Sequence, residues 1–145
     1  MSHLNAGLAA AVSVTFLWLG MVLAISFIEA PLKFRAPGVT IPIGLGIGRL
    51  VFRALNAAEA VLAIIVVIGV LAGGAPAAAT AAGAVAVAAL IIQLAAVRPP
   101  LNRRSDRVLA GEADAPRSTA HYYYIAFEAI KVVALLVTGI ALLAA

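Results

Sequence analysis

The chain alternates long apolar runs with short polar or proline-bearing breaks. Four runs, about Leu8–Ala30, Leu50–Leu71, Ala77–Val97 and Tyr122–Leu143, hold almost no charge. A bilayer core about 30 Å thick takes roughly 20 apolar residues per helix, so each run is long enough to cross it. The pattern predicts an all-α, four-transmembrane-helix bundle forming a single domain over residues 1–145. The first run reads as a span and not as a signal peptide. No Lys or Arg precedes it, its apolar stretch is long, and it ends in "FIEAP" instead of small residues.

The breaks shape the expected connections. "PLKFRAPGVTIPIG" carries Pro31, Pro37 and Pro42 and predicts an extended, kinked link between the first two spans. The apolar residues 41–48 are expected at the interface or as an oblique extension of the second span. Within them "GLGIG" (Gly44, Gly46, Gly48) lacks a preceding strand and the GxGxxG spacing, which favours close packing over a phosphate-binding turn. Ala78, Ala82 and Ala86, four residues apart, predict a close helix contact on the third span. "RPPLNRRSDRVLAGEADAPRS" predicts a partly amphipathic loop in contact with anionic lipid, with Ser118 as the N-cap of the fourth span.

Composition strengthens the membrane reading. Of the 145 residues 65% are hydrophobic and 11% charged, with a mean hydropathy of +1.14. A soluble domain of this size cannot hide that much apolar surface. The absence of cysteine excludes disulfides, thiolate nucleophiles and Cys-ligated metal sites. With two His and two Met, a dedicated transition-metal site is not expected. The formal net charge of +4 is no nucleic-acid signal, because the cations lie in loops beside apolar runs.

Those cations suggest an orientation. Lys33 and Arg35 lie between spans one and two, and Arg98, Arg103, Arg104, Arg107 and Arg117 between spans three and four. "AGGAPAAAT", between spans two and three, is uncharged. The positive-inside bias places both basic loops in the cytoplasm and both termini outside, in a bacterial inner membrane.

Polar groups inside the spans carry the candidate chemistry. Arg49, Arg53, Asn56 and Glu59 fall within about one third of the second helix's circumference. Glu59 lies roughly 15 Å deeper than Arg49, too deep for its short side chain to reach the interface. On the fourth span His121, Tyr124, Glu128 and Lys131 share a face about 80° wide. Ser26 and Glu29 stand at the end of the first span, and Gln93 is the strongly polar member of the third. Acids Glu29, Glu59 and Glu128 match bases Arg49, Arg53 and Lys131 in number. Arg49 and Arg53 repel each other, so their acids are expected from other helices. A polar cluster between spans one, two and four is therefore expected, with the third packed behind it.

This cluster supports several readings. It binds an anionic or amphipathic small molecule or a lipid headgroup, with Arg49 and Arg53 holding the anion and Asn56 and Tyr124 orienting it. Glu59, Glu128 and Lys131 then set the local charge. Alternatively it only fixes helix packing, or Glu59 or Glu128 carries protons in a small transporter, or the chain is an accessory subunit of a larger membrane complex. His121 and the run Tyr122–Tyr124 also suit a membrane interface, and Trp18, mid-span, suits core packing. The expected partners are membrane lipid, an anionic small molecule and further copies of the chain or a larger complex.

Two resemblances bear on these readings. "SFIEAPLKF", "GRLVFRALNAAE" and "HYYYIAFEAIK" resemble a group of small bacterial four-span membrane proteins, a likeness that implies the fold but no activity. "RALNAAE" is also similar to the second span of the membrane-associated proteins in eicosanoid and glutathione metabolism. That resemblance implies a trimeric enzyme holding glutathione with Arg53, Asn56 and Glu59. The family spacing is RAxxNxxE, so Asn56 and Glu59 each stand one residue early here, a rotation of about 100°.

Overall fold

The computed structural model describes residues 5–111 and 119–145. Four long helices dominate: α1 (Ala6–Arg35), α2 (Ile41–Gly73), α3 (Ala77–Leu109) and α4 (Thr119–Leu143), with no strand among the described residues. All four are long and apolar enough to cross a membrane. Asn5 caps α1 by accepting the Leu8 N–H at 2.9 Å. Thr40 caps α2 more loosely, at 3.3 Å from the Ile43 nitrogen. Gly74, at φ 64°, closes α2 in the left-handed conformation that glycine adopts without strain. Ser118, expected to cap α4, and Arg117 lie outside the described residues.

Three helices run further than their apolar cores. Pro31 does not end α1: a π segment, Leu23–Glu29, precedes it, in which Ala30 N–H reaches back to Ile25 O. The wider turn makes room for the proline ring and redirects the carbonyl that Pro31 cannot satisfy. The same device recurs in α3, where Gln93–Val97 is π and Arg98 N–H bonds Gln93 O just before Pro99 and Pro100. The expected extended link therefore shrinks, and much of the expected basic loop is helix. Pro42 sits in the first turn of α2, where its missing N–H costs nothing, so Ile41–Gly48 is true helix. At 33 residues α2 spans about 50 Å, well beyond a hydrocarbon core.

The surface is apolar and the interior is small or polar. On α2, Val61, Ile64, Ile68 and Leu71 point outward, while Leu55, Glu59, Ala63, Val66 and Gly69 are buried. This arrangement suits lipid as solvent, because hydrocarbon outside removes the drive to hide leucine and isoleucine.

Packing uses the small residues. Helix α1 packs chiefly on α2 and α4, and α3 on α4. A Cβ at Gly69 would stand 2.7 Å from Gly7 O, and one at Gly73 2.8 Å from Leu8 N, so backbones touch where α1 meets α2. The buried face of α3 is Ala79, Gly83, Ala86 and Leu90. Of the expected alanine row, Ala86 is buried, Ala82 is half-buried and Ala78 is exposed. Helix α3 also does not stand behind the polar cluster; it supplies the cluster's centre.

Candidate functional site

One charged network joins all four helices. Lys131 of α4 is fully buried, and its ammonium reaches Glu59 Oε2 on α2 at 2.5 Å and Glu128 Oε1 at 2.5 Å. It also donates to Gln93 Oε1 of α3 at 2.8 Å. These partners account for all three ammonium protons. Gln93 Nε2 donates to Glu128 Oε1 at 2.8 Å and to the Tyr124 carbonyl at 3.3 Å. From α1, Trp18 Nε1 donates to Glu59 Oε2 at 2.8 Å, and Ser26 Oγ donates to Glu128 Oε2 at 2.5 Å. Both π segments serve this centre, since Ser26 lies in one and Gln93 opens the other. With one ammonium against two carboxylates, the sealed set carries a formal charge of −1, and Glu59 Oε1 has no partner.

Beyond Glu128 lies a cavity of about 520 Å³. It sits where the ends of α1 and α3 and the starts of α2 and α4 overhang the apolar bundle. Lys33, Arg49, Arg98 and Arg104 surround it, and Phe27, Phe34, Phe52 and Ile125 supply apolar wall. Arg49 Nη1 is 2.5 Å from Asp106 Oδ1, tying α2 to α3, and Lys33 is 3.6 Å from Glu29. The Arg98 guanidinium stands 5.7 Å from the Phe52 ring centre and 5.9 Å from that of Tyr124, within cation–π reach. Those rings meet edge to face at 5.7 Å. Tyr124 is only 7% exposed, and its hydroxyl has no partner in the protein. The "GLGIG" glycines find their purpose here: Gly44 lies against the Phe34 ring, and a Cβ on Gly48 would stand 3.0 Å from Lys33 Nζ. Gly46 faces open space.

The expected residues therefore divide. Glu59, Glu128, Lys131, Gln93 and Ser26 converge in the network, while Arg49, His121, Tyr124, Glu128 and Ser26 line the cavity. Arg53 is exposed, and neither it nor half-buried Asn56 lines the cavity. Glu29 pairs within its own helix with Lys33 instead of with Arg49 or Arg53. Arg49 does find its acid on another helix, at Asp106.

Sequence reasoning missed Trp18, Lys33, Arg98 and Arg104. For Trp18 a signal existed, because a mid-span indole N–H needs an acceptor. Lys33 stands one helical turn past Glu29, the spacing of an i, i+4 pair. Arg98 and Arg104 were hidden behind two prolines read as a helix end. Among the described residues no group of three His, Asp or Glu side chains is placed to hold a metal ion. No protein-family model, curated protein or solved structure matches the chain.

Proposed function

We propose that the chain is a multi-pass protein of a bacterial cytoplasmic membrane whose cavity binds an anionic amphiphile, a lipid or a lipid-like molecule, from the cytoplasmic side. The observation that carries this reading is the cavity's make-up: four cations, Lys33, Arg49, Arg98 and Arg104, around aromatic and aliphatic walls. Cations in an apolar recess attract a counter-charge strongly, because few water dipoles compete for them. The aromatic walls suit the apolar portion of the same molecule, and the volume falls in the range of small-molecule sites. The positive-inside bias turns this basic end towards the cytoplasm.

The network beneath is the floor of this site. It holds Glu128 between Ser26, Gln93 and Lys131 and fixes the four helices around the opening. Glu59 is committed to Trp18 and Lys131, away from exposed Arg53, which leaves the glutathione-type triplet of Arg53, Asn56 and Glu59 without a common centre.

The test is native mass spectrometry of the protein released from nanodiscs that contain anionic and zwitterionic lipid. The wild type is expected to retain anionic lipid, and Arg98→Gln to retain it at least about tenfold less, the loss of one charge-assisted contact. Arg103→Gln, an exposed position outside the cavity, is expected to behave as the wild type. Equal retention by wild type and Arg98→Gln would remove the cavity from the explanation.

A further inference from the structure

We infer that the cavity selects the doubly charged head of a phosphate monoester over a singly charged phosphodiester or carboxylate. This deepens, and rests on, the anionic-amphiphile reading above. This selectivity is carried by donors at the lining that lack a carboxylate. Of its four arginines and lysines, Lys33 has Glu29 at 3.6 Å and Arg49 has Asp106 at 2.5 Å. Among the described residues Arg98 and Arg104 have no carboxylate partner, and the Arg104 Nε is buried without any acceptor. Glu128, the lining carboxylate, is already held by Lys131, Gln93 and Ser26. Two guanidiniums are therefore left without a carboxylate paired to them directly, above a network whose formal charge is −1.

A second observation points the same way. The Tyr124 hydroxyl is buried with no partner, on a ring that Arg98 overlies at 5.9 Å. A buried hydroxyl without a partner loses free energy unless a ligand supplies one. Arg98, Arg104 and Tyr124 all line the same cavity and can offer two guanidinium forks and one hydroxyl to an anion bound there. A phosphate monoester offers three terminal oxygens and about two negative charges, and planar guanidinium matches it in bidentate fashion. A phosphodiester or carboxylate has only two terminal oxygens and one charge, and so offers the two guanidiniums and the hydroxyl fewer charge-assisted acceptors.

The selectivity depends on pH in a defined way. A phosphate monoester takes up its second proton near pH 6, so it is a dianion above that value and a monoanion below it. The groups facing the head are Lys33 with Glu29 from α1, Arg49 from α2, Arg98, Arg104 and Asp106 from α3, and His121, Tyr124 and Glu128 from α4. A phosphodiester with the same tail keeps its single charge across this range, so it serves as the control for charge changes in the protein itself.

The experiment measures binding of dodecyl phosphate, its methyl diester and dodecanoate to the full chain in nanodiscs of zwitterionic lipid, by titration calorimetry. At about pH 8 the monoester is expected to bind about tenfold or more tightly than the diester, and near pH 5 the two are expected to converge. Arg98→Gln and Arg104→Gln, made separately, are expected to narrow the gap, with Trp18 emission confirming that each variant is folded. Competition by millimolar inorganic phosphate would support the inference and assign the head to a soluble ester. Indifference to it, with the monoester preference intact, would support the inference and assign the head to a lipid. Equal affinity of monoester and diester at about pH 8, with both lost in Arg98→Gln, would overturn the inference and leave the cavity reading standing. No binding of any of the three would overturn both.

Discussion

All three ammonium protons of Lys131 are taken, by Glu59, Glu128 and Gln93, and the side chain is shut off from any solvent. Removing one partner of a buried ion pair costs about 3–5 kcal/mol, because the remaining charge stays in an apolar medium. Lys131→Met strands two carboxylates and is expected to lose stability on that scale, read as a lower melting temperature in detergent. Glu59→Gln keeps the Lys131–Glu128 pair and leaves an acceptor for Trp18, so its loss is expected to be smaller. Equal losses would show that the ion pair to Glu59 dominates. Trp18 is the single tryptophan, which makes its emission a local probe. Its indole N–H bonds Glu59, so Glu59→Leu is expected to shift the emission to shorter wavelength as the polar partner disappears. An unshifted spectrum in a folded variant would contradict the hydrogen bond.

The helices are set by glycine and proline more than by charge. At Gly69 a Cβ would meet backbone of α1 at 2.7 Å, and backbone cannot rotate aside as a side chain can. Gly69→Val is therefore expected to push α1 from α2 and to destabilise by about 2 kcal/mol or more. Gly46 lies in the same helix with nothing within 4 Å, so Gly46→Ala is expected to be neutral or to gain up to about 1 kcal/mol of helix propensity. Thermal unfolding of the two variants side by side reads the contrast. The spans themselves were legible because each is a run of apolar residues of the right length. Their ends were not. Pro31, Pro99 and Pro100 signal helix termination locally, yet a preceding π segment absorbs each and carries the helix on. Whether a proline ends a helix or only widens the turn before it depends on what the extra turns pack against, here one another across the cavity.

At the scale of the molecule the proposed orientation has a direct check. The chain has no cysteine, so single cysteines can be introduced cleanly. With a membrane-impermeant maleimide, Ala75→Cys in the α2–α3 turn is expected to react in intact cells. Pro37→Cys in the α1–α2 link is expected to react only after permeabilisation, as positive loops stay inside. The reverse pattern would turn the cavity towards the outside and remove the cytoplasmic ligand source.

The apolar runs determined that the chain makes four membrane-length helices, and helical periodicity determined that Glu59, Glu128 and Lys131 each lie on a polar face. Solvation alone dictates those features, since oil excludes charge and 3.6 residues make a turn. Which charges meet was decided in three dimensions. Helix rotation turned Arg53 outward and brought Gln93 into the centre, and the long overhanging ends gathered Lys33, Arg98 and Arg104 around one space. Periodicity fixes a residue's angle only relative to its own helix. The angle between helices follows from packing at Gly7, Gly69 and Gly73, and that information lies in the fit of one surface to another.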